Sequence, residues 1–259
     1  MPLLTDTHVH LYPVHQPGAL FAGAQDRLTR LARGPAPHLL CFTERFDCHA
    51  FRALRDGRLP ADPFTITPAG PLALRLDRPD RPPLFVLAGR QVNARERLEI
   101  LALGTDADLP DGEPLLDTIQ RVRDAGGLPV LAWAPGKWMF ARGKIVTRLL
   151  EKAVPGTLLV GDSALRPTLW PTPDLMSYAS LRGLKVIAGS DPLPVAGDER
   201  VAGTYATLFT TELDPADPTA SFLRILANPA HRPMTVGRRG GVGEVWGRLQ
   251  AYKKARRPA

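Results

Sequence analysis

Residues 3–10, Leu-Leu-Thr-Asp-Thr-His-Val-His, constrain this chain most, because they carry an apolar strand into an Asp-x-His-x-His array. On an extended backbone residues i and i+2 project to the same side, so His8 and His10 can reach one divalent ion. Asp6 can serve as a further oxygen ligand, a catalytic carboxylate or a partner that orients a ring. The same spacing also suits two histidines held by ordinary hydrogen bonds.

Apolar runs of strand length recur at 3–7, 38–43, 84–88, 98–103, 128–133, 157–161 and 184–188. Helical patterns fall between and after them at 24–32, 48–56, 115–125, 144–153, 174–182, 218–227 and 243–255, several closed by glycines suited to a left-handed cap, as at Arg33-Gly34, Asp56-Gly57 and Arg182-Gly183. This alternation predicts a parallel sheet. Runs that are apolar throughout, such as 128–133, are expected to be buried on both faces, as in a barrel or a doubly wound sheet. The stretch 64–76 reads as an added hairpin turning near Pro68-Ala69-Gly70, within an insertion of about 62–83 whose Pro79, Pro82 and Pro83 exclude a central strand. No repeat or long linker divides the chain, so residues 1–259 are expected to form one domain.

With 259 residues and 44% hydrophobic content the chain can bury a large core. It contains no long uncharged apolar run and no basic-then-apolar leader pattern, which predicts a cytoplasmic protein without a membrane span. Cys41 and Cys48 fit neither a metal clip nor a disulfide framework and are expected to be reduced thiols. The net charge of +7 draws heavily on Arg238, Arg239 and a basic tail at about 243–259 carrying Lys253, Lys254, Arg256 and Arg257. No zinc-finger spacing, aromatic-basic strand or arginine-rich recognition helix accompanies it, so nucleic acid is not the expected partner. The tail reads as a solvated helix end, or as a salt-sensitive contact to nucleic acid or acidic membrane.

The order of motifs resembles the polymerase-and-histidinol-phosphatase (PHP) superfamily of metal-dependent phosphoesterases. Thr5-Asp6-Thr7-His8-Val9-His10 is similar to its first metal motif. Phe42-Thr43-Glu44-Arg45 stands where the family has Thr-Asp-His, and Ala88-Gly89-Arg90-Gln91 where it has Gly-x-Glu. Arg97-Leu98-Glu99-Ile100-Leu101 stands where it has a His before Ile-Leu, and Trp133-Ala134-Pro135-Gly136 replaces Ala-His-Pro-Gly. Gly189-Ser190-Asp191-Pro192-Leu193 is similar to Gly-Ser-Asp-x-His. The resemblance implies a distorted TIM-like barrel of seven β/α units, with the hairpin added.

Arg45, Gln91, Glu99, Trp133 and Leu193 replace His, Glu, His, His and His of that pattern, which implies a reduced site rather than a three-metal cluster. The expected ligands are His8, His10 and Asp191, holding one Zn, Mn or Fe ion or none, with Asp6, Glu44, Glu99 or Asp162 near the same mouth. Asp6, Glu44, Arg45 and Glu99 are the candidate catalytic residues. Arg90, Gln91, Trp133 and Lys137 are candidates for binding a small anionic substrate. Structural readings stand beside these: Arg45 and Arg90 in ion pairs, Asp191 as a helix N-cap, Trp133 filling the space of the absent histidine, and Trp138 covering the barrel rim. The implied activity is hydrolysis of a small phosphate or other anionic ester. A catalytically silent barrel that binds an anion or a protein is the alternative, and the first and last motifs are also similar to the amidohydrolases.

Overall fold

The structure is a computed structural model that describes residues 2–32 and 36–256. The cap at Arg33-Gly34 and the tail residue Arg257 lie outside the described residues.

Twelve strands are arranged in two sheets, with seven α-helices among the described residues. In chain order the first half runs β1 (Leu3–Val9), α1 (Pro17–Ala32), β2 (His38–Phe42), α2 (Ala50–Arg55), β3 (Thr65–Pro68), β4 (Ala73–Asp77), β5 (Leu84–Leu87), β6 (Gly89–Asn93) and β7 (Glu99–Leu103). It continues with α3 (Leu115–Asp124), β8 (Leu128–Ala132), α4 (Phe140–Lys152), β9 (Leu159–Ser163), α5 (Asp174–Leu181) and β10 (Val186–Gly189). A short 3-10 turn at Asp198–Val201 leads into β11 (Tyr205–Phe209), α6 (Pro218–Ala227), β12 (Met234–Gly237) and α7 (Val242–Ala255).

One sheet has the order β12-β11-β1-β2-β5-β4-β3 and the other β10-β9-β8-β7-β6. The β3–β4 pair is the expected hairpin, with Thr65 opposite Asp77 and Pro68 opposite Leu74. It extends an edge, where a proline is tolerated. The expectation of a parallel sheet holds for β1–β2–β5 and β8–β9–β10 only. β7 runs antiparallel to both β6 and β8; the short 94–98 connection can join β6 to β7 only as a hairpin, whereas β7 reaches β8 through the segment carrying α3. β6, β11 and β12 were not expected as strands. Gly-Arg-Gln-Val-Asn of β6 is too polar to read as a core run, and β12 is a short, largely exposed edge.

The two sheets meet at two seams. Asp191 N–H donates to His8 O (2.9 Å) where β10 leaves its sheet beside β1. Glu44 N–H donates to Gly89 O (3.0 Å) and Gln91 N–H to Glu44 O (2.8 Å), joining the end of β2 to β6. Each seam needs a glycine. A Cβ on Gly189 would lie 2.3 Å from His8 Cβ, and one on Gly89 would lie 2.3 Å from Phe42 O. One buried cluster draws Leu39 and Leu87 from the first sheet and Leu101, Val130, Leu159 and Ile187 from the second, so it fills the space between them. α1 and α2 pack outside the first sheet, and α3, α4 and α5 outside the second. Hydrophobic burial on both faces explains why these strands are apolar throughout.

Candidate metal centre

The β1 strand ends at the seam with β10, and this junction builds the site. His8 Nε2 and His10 Nε2 lie 3.0 Å apart, and Asp191 Oδ1 lies 3.5 Å from the first and 3.6 Å from the second. Gln91 Oε1, from β6, is 3.1 Å from His8 Nε2. A tetrahedral ion with bonds of about 2.0–2.2 Å sets its ligand atoms about 3.3–3.6 Å apart. The two distances to Asp191 Oδ1 match such a spacing, the histidine nitrogens would part by a few tenths of an ångström to complete it, and Gln91 offers a fourth, neutral oxygen. These donors fit one divalent ion of the Zn, Mn or Fe kind.

The surroundings favour the ligating forms. Burial, and then the neighbouring His8, pushes His10 down to about 3, which keeps its ring neutral. Burial works against the Asp191 carboxylate, but the charge of Arg248 and the hydrogen bond from Ser163, with His8 beside it, hold its pKa below the ordinary value. Ser163 Oγ donates to Asp191 Oδ2 at 3.0 Å, which leaves Oδ1 facing the histidines. Asp191 also has φ +52, a left-handed conformation that Asp tolerates better than most residues. Its amide is held there by His8 O. The helix-cap reading of Asp191 does not describe this site, since a short irregular stretch follows before the 3-10 turn. His10 stacks on Tyr12 at 5.1 Å between ring centres, while its buried Nδ1 has no hydrogen-bond partner among the described residues.

The site opens into a cleft of about 570 Å³. Arg45, Gln91, Glu99 and Lys137, all expected at the site, line it together with His10 and Asp191. Lys137 Nζ donates to Glu99 Oε1 at 2.6 Å, and Arg142 braces the Lys137 loop by donating to Lys137 O and Gly136 O.

Five expected residues, Asp6, Glu44, Arg90, Trp133 and Asp162, sit elsewhere. Asp6 is fully buried behind His8, where its oxygens accept from the backbone amides of His8, Ser190 and Gly203 and from Ser190 Oγ. Burial pushes its carboxyl up to about 6, and with four donors it acts as the clasp between β1 and the Gly189-Ser190-Asp191 corner. Glu44 accepts from Phe51 N–H at the start of α2 (2.9 Å) and pairs with Arg90 at 3.4 Å, both side chains buried. Burial pushes Glu44 up to about 7, against the pull of Phe51 N–H and Arg90. Arg90 also donates to Cys48 O (2.9 Å). Strand alternation decides this split, since Gln91 and Asn93 face the cleft while Arg90 points to the opposite side of β6. Trp133 is buried against Trp170 at 5.9 Å, and Trp138 is also buried, with its Nε1–H donating to Ala132 O. Asp162 is held by Arg166 and by Tyr205 O–H (2.7 Å) on the far side of β9. His15 is buried and bonded to Leu193 O (2.9 Å).

The sequence did not point to the contribution of α7. Arg248 donates to Asp191 O (2.8 Å) and to both oxygens of Asp198 (2.8 and 2.9 Å), docking the helix beside the site. Tyr252, Lys253 and Arg256 then line the cleft. The basic tail thus begins on a helix turned toward the histidines, and the i, i+3, i+4 spacing of Leu249, Tyr252 and Lys253 was the available signal. Both cysteines are buried free thiols, and no described helix is long and apolar enough to cross a membrane.

No family model and no curated sequence matches the chain. Solved structures do. PsfC from Pseudomonas syringae PB-5123 superposes with a TM-score of 0.60 at 15% identity, over 98% of each chain. A lesion-specific endonuclease of Pyrococcus furiosus, endonuclease Q, gives 0.55 at 9% identity over 92% of this chain. Endonuclease Q bound to a 27-mer duplex with an abasic lesion gives 0.50 at 10% identity. The likeness is one of fold. This chain spans only 59% and 60% of the two endonuclease Q chains.

Proposed function

We propose that this protein is a PHP-like hydrolase of a small phosphate or other anionic ester, working with one divalent ion held by His8, His10 and Asp191. The convergence of His8 Nε2, His10 Nε2 and Asp191 Oδ1 at the base of a cation-rimmed cleft carries the reading. In this reading the two seamed sheets form the distorted seven-stranded barrel, with β1, β2, the bent strand in which β5 runs on into β6, and β7, β8, β9 and β10, and the site lies at its mouth. A bound ion would act there as a Lewis acid and lower the pKa of water.

The chain's own groups supply the rest. Gln91 holds His8 and offers a neutral oxygen beside the ion. Arg45, with its fork-shaped guanidinium, orients an anionic oxygen of the ester. Lys137 neutralises Glu99 until an anion enters, and once its partner is drawn to the substrate, Glu99 can accept a proton in the cleft. Asp6, Glu44 and Arg90 act as positioning residues behind the wall.

Hydrolysis of a panel of phosphomonoesters and phosphodiesters by protein loaded with Zn or Mn tests the activity. Turnover abolished by chelator and restored by the ion is expected, with Arg45→Ala lowering kcat/KM by at least about tenfold. A panel that shows anion binding but no turnover with any ion would instead support the silent, anion-binding barrel, which the replacement of the family's other ligands favours.

A further inference from the structure

A second concavity of about 560 Å³ adjoins the cleft, within the range of about 300–1,000 Å³ common for small-molecule sites. Its walls are apolar, formed by Leu169, Trp170, Val242, Val245 and Trp246 among others. Leu169 is 84%, Val242 55% and Trp246 60% exposed, so the groove presents large apolar side chains to solvent. It is continuous with the cleft, because Pro135, Leu165 and Leu249 line both. One helix builds both walls. Along α7, Val242, Val245 and Trp246 face the groove, whereas Tyr252, Lys253 and Arg256 face the cleft. Lys253 Nζ stands 5.8 Å from the Trp246 ring centre, so the cation marks the border between the two. Among the described residues neither Lys253 nor Arg256 has a carboxylate at ion-pair distance; Arg256 lies over the Tyr252 ring at 5.5 Å and donates to its hydroxyl at 3.4 Å, so the cations are held by aromatic neighbours and keep their charge for an anion.

We infer that the substrate is amphiphilic: an anionic ester whose charged head sits among Arg45, Lys253 and Arg256 at the histidine site and whose apolar group lies in the groove between Trp170 and Trp246. This rests on the proposed function of the cleft. From an anion anchored in the cleft, an apolar substituent can run along α7 past the shared Pro135, Leu165 and Leu249 and cover the exposed side chains of the groove.

Isothermal titration of the full chain loaded with Zn, using methyl phosphate and monomeric octyl phosphate, tests this. Octyl phosphate is expected to bind more than about tenfold tighter, an advantage that about two buried methylene groups already supply. Trp246→Ala and Leu169→Asp alter exposed side chains, and each is expected to shrink the octyl-to-methyl ratio severalfold. Lys253→Ala with Arg256→Ala is expected to weaken both ligands. Equal affinity for the two phosphates, or a ratio unchanged in both groove variants, overturns the inference while leaving the anion site standing. Failure of both ligands to bind overturns the inference together with the functional reading beneath it. A stable dimer by sedimentation that Trp246→Ala dissociates assigns the groove to a second copy and likewise overturns it.

Discussion

Gly189→Ala should damage fold and site together. A Cβ there would lie 2.3 Å from His8 Cβ, 2.5 Å from His8 N and 2.9 Å from His8 Cα, where ordinary contact begins at 3.4 Å. Relief requires β1 and β10 to part by about 1 Å, and none of the three atoms sits at the end of a flexible side chain. Overpacking of this kind costs about 1–3 kcal/mol. Losing the Asp191 N–H to His8 O bond that closes the seam adds about 1 kcal/mol. The expected total is about 2–4 kcal/mol, a fall in Tm of roughly 5–15 °C for a domain of this size. Urea titration followed by circular dichroism measures the first quantity, and Zn bound per chain measures the second, since the parted strands carry His8 and Asp191. Gly247→Ala is the control: its Cβ meets nothing within 4 Å, and α7 should gain about 0.5–1 kcal/mol. A Gly189→Ala protein that loses less than about 1 kcal/mol and keeps its metal would refute the close-seam explanation.

Two further outcomes follow from buried groups. Arg248→Met removes the partner of Asp198, both side chains being 10% exposed, and should loosen α7 by about 3–5 kcal/mol, read as faster amide exchange along α7 relative to α3. His38 is fully buried against Thr29, and burial lowers its pKa to about 4, so the native ring stays neutral while the unfolded chain takes up a proton below about 6.5. The contribution of His38 is therefore fully present above pH 6.5 and falls by about 2–3 kcal/mol as pH drops toward 4; because the raised Asp6 and Glu44 carboxyls act in the opposite direction, it is read as the pH dependence of the stability difference between wild type and His38→Gln in urea titrations, and a difference that does not change between pH 7 and 4 would refute it.

Much of this arrangement was legible in the chain. The Asp-x-His-x-His array and the Gly-Ser-Asp corner announce themselves because both depend on short-range geometry. Strand alternation brings His8 and His10 to one side, and a glycine permits the approach of β10. The seven apolar runs appear as strands because they are buried on both faces. What depends on distant partners was hidden. Arg90 and Gln91 are neighbours in sequence, and only the pairing of β6 with Glu44 decides which of them enters the cleft. Asp6 looks like a ligand until Ser190 and Gly203 arrive to occupy its oxygens. The basic stretch after 243 looks like a solvated end, because nothing local reveals that Arg248 will find Asp198 and Asp191 and turn Lys253 and Arg256 toward the histidines. β11 reaches β1 from about 200 residues away and left no signal stronger than Tyr-Ala-Thr-Leu-Phe.

The central claim is that His8, His10 and Asp191 bind one divalent ion. Elemental analysis of untagged protein purified without chelator, beside His8→Ala/His10→Ala and Asp191→Asn, tests it most directly. The account predicts about one Zn, Mn or Fe per chain in the wild type and almost none in either variant, with the folded state of the variants verified by circular dichroism. A metal-free wild type that takes up neither Zn nor Mn on titration, or an equal metal content in all three proteins, would contradict it.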